Sequence, residues 1–123
     1  MAKQYAQVVG IIVVLLGIVG LIAGEGHLFG IINIDIAEDI IHLVTGAILV
    51  YAGFQPNASL ARTIVGVLGV IYLLVGIVGF PSPTLFNLVP NGYTIWDNLV
   101  HLILGILGIA FGWFLTRETV ATT

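Results

Sequence analysis

Charged residues are so widely spaced along the chain that they leave four long stretches with no formal charge, which are rich in Val, Ile, Leu and Gly. These stretches cover residues 4–24, 40–61, 63–80 and 98–116. Inside the second and fourth stretches, the expected helical spans are residues 38–54 and 97–115. A helix rises about 1.5 Å per residue and needs about 20 residues to cross a hydrocarbon core. The pattern predicts an all-α membrane protein, a four-helix transmembrane up-down bundle.

Composition leads to the same class. Of the 123 residues, 59% are hydrophobic and only 7% are charged, and the mean hydropathy is +1.19. Soluble domains carry about 25% charged residues, so the lipid bilayer is the expected partner of this surface. The net charge of -3, with three basic residues, speaks against nucleic-acid binding. The absence of cysteine excludes disulfides, thiolate metal sites and cysteine nucleophiles.

The basic residues all fall on one side of the predicted topology. Lys3 precedes the first helix, Arg62 lies in the second connection and Arg117 follows the fourth helix. Five of the six acids fall on the other side, namely Glu25, Asp35, Glu38, Asp39 and Asp97. By the positive-inside rule, we expect both termini to be cytoplasmic. The chain is then a multi-pass protein, and we expect it in a prokaryotic cytoplasmic (inner) membrane.

The sequence also contains an internal repeat with a period of 59 residues. Shifting the chain by this amount, without a gap, lays Glu38 on Asp97 and His42 on His101, and several glycines on glycines. This predicts a single transmembrane domain, 1–123, with repeat 1 at 1–57, repeat 2 at 58–117 and a short cytoplasmic tail at 118–123. Because each repeat holds two crossings, the two helical hairpins run parallel about a pseudo-twofold axis along the membrane normal.

Glycines recur every seven residues in the predicted helices. Those we assign to helix packing are Gly10, Gly17, Gly46, Gly53, Gly69, Gly76, Gly105 and Gly112. A heptad period keeps one seam facing a neighbouring helix, and small residues let the backbones approach closely. We expect packing inside the chain. The alternative is a glycine face kept for another chain, in a homo-oligomer or a larger membrane complex.

Two connections on the acidic side contain apolar segments, residues 28–32 and 84–89. We expect both segments to lie in the membrane interface. Tyr93 and Trp96 precede the fourth helix. Aromatic side chains of this kind are typical of the belt at headgroup depth, so we predict that both belong to it.

Two motifs resemble a known family. Residues 97–105, Asp-Asn-Leu-Val-His-Leu-Ile-Leu-Gly, follow the Asn-Leu-Val-Pro-Asn of residues 87–91, and Ile-Ile-His-Leu-Val-Thr-Gly stands at residues 40–46. They resemble a bacterial family of small four-helix membrane proteins described as domain of unknown function 4383. The first half departs from the family in having Asp39 where asparagine is usual. The resemblance implies a four-helix topology for nearly the whole chain, and it implies no activity, substrate or cofactor.

Glu38 and His42 are four residues apart, as are Asp97 and His101, so each acid shares a helix face with its histidine. A structural interpretation is that the acids satisfy helix N-termini and the histidines hydrogen-bond nearby. Ionisable groups inside membrane spans nevertheless mark candidate sites. The alternatives are a bis-histidine haem on His42 and His101, a metal site on all four residues, or a proton-coupled transport path.

The residues carry no nucleophile–base pair, phosphate-binding loop or zinc-protease motif, so we predict that the protein is not an enzyme. We expect a structural or accessory membrane subunit that packs through its glycine-rich helix faces. The alternative is a cofactor-binding membrane protein at the outer face, with haem or a metal as the cofactor. A proton-coupled transport component is a third interpretation.

Overall fold

The computed structural model describes residues 1–115 and contains four α-helices within that part of the chain. They are α1 Ala2–Ala23, α2 Ile36–Phe54, α3 Ala58–Gly79 and α4 Ile95–Ile109, the last of which continues as a π-helical turn, Ala110–Phe114. All four, with the π-helical turn counted in the last, are long and apolar enough to cross a membrane. The predicted all-α fold, with four helices long and apolar enough to span a membrane, is confirmed. Arg117 and the predicted tail at 118–123 lie outside the described residues.

Helix α3 begins earlier than the charge-free stretch predicted. The side chain of Asn57 caps this helix by accepting a hydrogen bond of 3.0 Å from the Leu60 N–H. Arg62 therefore lies in the second turn of α3 rather than in the connection before it. A charge close to the end of a helix does not interrupt it, and a capping side chain marks the start of the helix better.

The connection between α1 and α2 is a small antiparallel β-hairpin. Strand β1, Gly26–Leu28, pairs with strand β2, Ile32–Ile34. The exposed Phe29 and the following Gly30 form the turn with positive φ angles of 54° and 71°. We expected only an apolar interfacial loop here, because three-residue strands have too little sequence to show an alternating pattern. The hairpin matters for the site because it lies against the start of α4.

The helices pack as two antiparallel pairs, α1 with α2 and α3 with α4. A Cβ added at Gly17 would lie 2.9 Å from the Asp39 carbonyl oxygen of α2, and one at Gly76 would lie 2.8 Å from the Leu102 nitrogen of α4. The other six glycines assigned to packing also contact the partner helix of their own pair. The backbones approach too closely at these points for any larger residue.

Polar and apolar interiors occupy opposite ends of the bundle. The end that carries the β-hairpin buries eight polar side chains, and we call it the acidic end: Asn33, Asp35, Glu38, Asp39, His42, Asp97, Asn98 and His101. The other end holds an apolar core that includes Leu49, Val65 and Leu68. Lys3 lies in the first turn of α1 and Arg62 in the second turn of α3, and both helices begin at this other end. The acidic end therefore buries four carboxylates far from both of these basic residues.

Candidate metal centre

The first turn of α2 places two of the predicted site residues. Asp35 caps the helix by accepting a hydrogen bond of 2.8 Å from the Glu38 N–H. The side-chain amide of Asn33 donates to the second carboxylate oxygen of Asp35 at 3.2 Å. Helix geometry then puts Glu38 and His42, one turn apart, on the same face. Both side chains are buried. Asp35 thus fixes the start of the helix that presents them to the interior.

The start of α4 is fixed by a capping box. Thr94 accepts a hydrogen bond from the Asp97 N–H, and the Asp97 carboxylate accepts one of 2.8 Å from the Thr94 N–H. Both Asp97 oxygens also accept the Asn33 N–H of strand β2, at 3.1 and 3.0 Å. The Thr94 hydroxyl donates to the Ile31 carbonyl. Asp97 therefore joins the β-hairpin to α4.

Three of the four predicted metal-ligating residues come together. His42 Nε2 lies 3.0 Å from Glu38 Oε2, and His101 Nε2 of α4 lies 3.8 Å from the same oxygen. One ligand atom from each residue falls within 4.8 Å of the others. We call Glu38, His42 and His101 the Glu–His–His cluster. It joins the two helix pairs, because α2 supplies two of its members and α4 the third.

The structure does not bring Asp97 into this cluster. Its oxygens are taken up by the N–H groups of Asn33 and Thr94, and among the described residues the carboxylate within 4.0 Å of the His101 ring nitrogens is that of Glu38. The equal spacing of the two acid–histidine pairs suggested equal roles. The β-hairpin provides the difference, because it offers its buried N–H group to the second acid only.

Two tyrosines surround the cluster. The Tyr93 hydroxyl donates to Glu38 Oε1 at 2.7 Å, and its ring makes a T-shaped contact with the His101 ring, with centroids 5.0 Å apart. The Tyr72 ring stacks on His101 at 6.1 Å, and its hydroxyl donates to Thr45 Oγ1 at 2.9 Å. These contacts fix the orientation of the Glu38 carboxylate and of the His101 ring.

Tyr93 is the site residue that sequence reasoning missed. Its side chain is 9% exposed, whereas Trp96 is 56% exposed, so the prediction of an interfacial belt position is wrong for Tyr93. Burial raises the pKa of the Tyr93 phenol, and the adjacent Glu38 carboxylate raises it further, so the hydroxyl stays protonated and can donate. Tyr93 and Glu38 are 55 residues apart. No local sequence signal joins them.

The predicted haem ligands do not fit haem. His42 Nε2 and His101 Nε2 both lie beside one Glu38 oxygen, at 3.0 and 3.8 Å, so a carboxylate stands next to both nitrogens that would bind the iron. Gly46 and Gly105 were expected to make room for the ring. A Cβ on Gly46 would lie 2.8 Å from the Val14 nitrogen, and one on Gly105 would lie 2.5 Å from the Leu73 nitrogen. The neighbouring helix therefore already fills the space beside both glycines.

Each histidine of the cluster keeps one ring nitrogen unpaired. The Nδ1 atoms of His42 and His101 are buried and have no hydrogen-bond partner. An unpaired buried polar group costs about 1–3 kcal/mol, and buried polar groups in proteins are normally paired. The arrangement therefore does not maximise the stability of the bundle.

Part of the chain matches a known protein family. The model of the family described as Domain of unknown function (DUF4383) matches residues 1–55, which comprise α1, the β-hairpin and α2. Neither the curated proteins nor the solved structures contain a significant match to the chain. The family resemblance that the sequence motifs predicted is confirmed over the first helix pair. Over residues 1–55, the chain is similar to the DUF4383 family, whose function is unknown.

Proposed function

We propose that this small membrane protein binds a divalent metal ion at the acidic end of its bundle, through Glu38, His42 and His101. The observation that carries the proposal is the convergence of three buried ligand atoms, from two helices, within 4.8 Å. One carboxylate and two imidazoles form a common ligand set for divalent metals in proteins. The role is binding, and no catalytic reaction is assigned to the site.

The spacing of the ligand atoms supports the proposal. A four-coordinate zinc ion with bonds of 2.0–2.1 Å holds its ligand atoms about 3.3 Å apart. The two histidine nitrogens lie 3.0 and 3.8 Å from Glu38 Oε2. Side-chain movements of a few tenths of an ångström would bring both distances to that value. The three ligand atoms lie within 4.8 Å of one another, so binding an ion would require the two histidines to approach each other by at most about 1.5 Å.

Charge supports the proposal as well. Asp35, Glu38, Asp39 and Asp97 are each at most 5% exposed. The chain has three basic residues, and the two within the described part belong to the opposite end. A buried charge without a counter-charge costs several kcal/mol even after relaxation. A divalent cation would supply positive charge that no Lys or Arg of the described residues provides there.

The glycines do not favour the accessory role that the sequence suggested first. All eight of the packing glycines contact the partner helix within α1–α2 or α3–α4. They leave no glycine face for another chain. A structural role in a larger complex is therefore supported less well than metal binding.

A proton-coupled transport path is also supported less well. From the cluster, polar contacts continue through Tyr72 to Thr45, whose hydroxyl donates to the Ile41 carbonyl at 2.8 Å. Beyond this level, the interior is filled by Leu49 and Val65, which are 1% and 0% exposed. The polar chain ends about halfway along the bundle, so it suits a site open to one side of the membrane.

Metal binding is tested directly on the full chain purified in detergent. After chelation, the protein is dialysed against zinc and its metal content is measured by elemental analysis. We expect about one zinc ion per chain, and less than about a tenth of that for His101→Ala. His27→Ala is the matched control, because His27 is an exposed histidine in β1 outside the cluster. A wild-type protein that binds no metal, or a control that loses as much as His101→Ala, would contradict the proposal.

A further inference from the structure

The arrangement around Glu38 leads to a more specific assignment, which rests on the proposed metal binding. We infer that the site selects a four-coordinate cation of the zinc class over manganese, calcium and magnesium, and that Tyr93 is the positioning residue that sets this selectivity. The contacts that lead to this inference are the bond from Tyr93 to one Glu38 oxygen and the convergence of both histidines on the other.

The first step concerns the way in which Glu38 can bind an ion. The Tyr93 hydroxyl occupies Oε1 at 2.7 Å, while Oε2 faces His42 and His101. An ion between the histidines therefore meets one carboxylate oxygen rather than two. Calcium takes 6–8 oxygen ligands and commonly uses bidentate carboxylates, so a monodentate Glu38 disfavours it.

The second step concerns other oxygen ligands. The Asp35 carboxylate accepts hydrogen bonds from the Glu38 N–H and from the side-chain amide of Asn33. The Asp97 carboxylate accepts hydrogen bonds from the backbone N–H groups of Asn33 and Thr94. These neighbouring carboxylates are held by their capping bonds and cannot extend the oxygen shell without uncapping a helix. The Asp39 carboxylate lies against Gly20 of α1. Among the described residues, the ligand atoms that converge are therefore two imidazole nitrogens and one carboxylate oxygen. Imidazole suits zinc and other late transition metals, whereas manganese, calcium and magnesium prefer oxygen.

The third step concerns space. The His101 ring contacts two tyrosine rings, Tyr72 in a stacked arrangement and Tyr93 in a T-shaped one. The side chains of both histidines are 9% exposed, so the opening beside them is small. An octahedral ion would need three further ligands in addition to these side chains. A four-coordinate ion needs only one, such as a water molecule in the opening.

These steps give Tyr93 a role that can be separated from packing. Tyr93→Phe keeps the ring against His101 but frees Glu38 Oε1, so the carboxylate can bind an ion with both oxygens. Loss of an outer-shell hydrogen bond typically weakens metal affinity 10–100-fold. Tyr72→Phe is the matched control, because it removes a hydroxyl bonded to Thr45 and keeps the ring that stacks on His101.

The test measures the binding of zinc, manganese and calcium to the full chain in detergent, by competition dialysis, for the wild type and both variants. Cobalt(II) serves as a second probe, because its visible absorption is strong in four-coordinate sites and weak in six-coordinate ones. We expect the wild type to prefer zinc and to give the strong cobalt spectrum. Tyr93→Phe should lose about 10–100-fold in zinc affinity and shift its preference towards manganese, while Tyr72→Phe stays close to the wild type.

The outcomes separate this inference from the proposed function. A wild type that binds none of these metals overturns both. A wild type that binds manganese or calcium in preference to zinc, or gives only the weak cobalt spectrum, leaves metal binding intact and overturns the zinc assignment. Equal zinc affinity and equal preference in the wild type and Tyr93→Phe overturns the role of Tyr93, as does an equal loss in Tyr72→Phe.

Discussion

The Tyr93 hydroxyl and the Glu38 carboxylate, 55 residues apart in the sequence, are joined by a hydrogen bond of 2.7 Å. Tyr93 precedes α4, and Glu38 lies in the first turn of α2. This bond and the approach of His101 to the same carboxylate link the two helix pairs at the acidic end. The candidate metal centre is therefore formed only when the two pairs have come together.

Binding of zinc should stabilise the folded bundle. A ligand that binds only the native state adds about 2.7 kcal/mol to the free energy of unfolding when its free concentration is 100 times Kd. We expect zinc to raise the thermal unfolding temperature of the chelator-treated protein, and the chelator to reverse the rise. Glu38→Gln should show little rise, because it removes the charged ligand. Equal zinc stabilisation in Glu38→Gln would place the ion elsewhere.

The contact between Asp97 and the β-hairpin should control the local stability of the acidic end. Asp97→Asn removes the carboxylate that accepts from the Asn33 N–H, and hydrogen bonds to charged groups contribute about 1.5–3 kcal/mol. We expect the hydrogen of the Asn33 backbone N–H to exchange with solvent faster, by the factor that corresponds to this loss of free energy. Glu25→Gln is the control, because Glu25 is an exposed acid of the same connection. No increase in exchange at residues 32–34 would show that the contact is unimportant.

The glycine contacts should tolerate no added volume. A Cβ at position 76 would lie 2.8 Å from the Leu102 backbone nitrogen, and overpacking of this kind typically costs about 1–3 kcal/mol. We expect Gly76→Ala to lower the unfolding temperature in detergent. Val67→Leu adds a similar volume on an exposed face of the same helix and should change it little. Equal effects of the two substitutions would argue against close packing at Gly76.

The orientation of the bundle remains a prediction from the basic residues. Lys3 and Arg62 belong to the end opposite the β-hairpin, so the positive-inside rule puts the acidic end outside the cytoplasm. A cysteine introduced at Phe29, at the exposed turn of the hairpin, should react with a membrane-impermeant reagent in intact cells. A cysteine introduced at Asn57 should react only after lysis. The reverse pattern would contradict the orientation.

The helices could be predicted from the sequence because hydrophobic length is a strong local signal. The prediction of where α2 and α4 begin was less accurate. These helices begin at Ile36 and Ile95, two residues before the predicted residues 38 and 97. The caps, Asp35 and Thr94, precede these starts, and a criterion based on freedom from charge does not detect a cap. The 59-residue repeat and the tail at 118–123 remain predictions, although Gly17 and Gly76 contact Leu43 and Leu102, which occupy corresponding positions in the two pairs.

The candidate site could be predicted only in part. The spacing of Glu38 and His42 indicated a shared helix face, and His42 Nε2 lies 3.0 Å from Glu38 Oε2. The same spacing at Asp97 and His101 gave no such pair, because the Asn33 N–H engages the Asp97 carboxylate. Contacts between distant parts of the chain, such as Tyr93 with Glu38, depend on how the helix pairs meet. Periodicity along one helix does not contain that information.

X-ray absorption at the zinc edge tests the proposed metal centre most directly. On the zinc-loaded full chain in detergent, we expect two imidazole nitrogens and one carboxylate oxygen at about 2.0–2.1 Å, with a light fourth ligand. His101→Ala should lose one of the imidazole contributions. A wild-type spectrum with only oxygen neighbours, or one that His101→Ala leaves unchanged, would contradict metal binding by Glu38, His42 and His101.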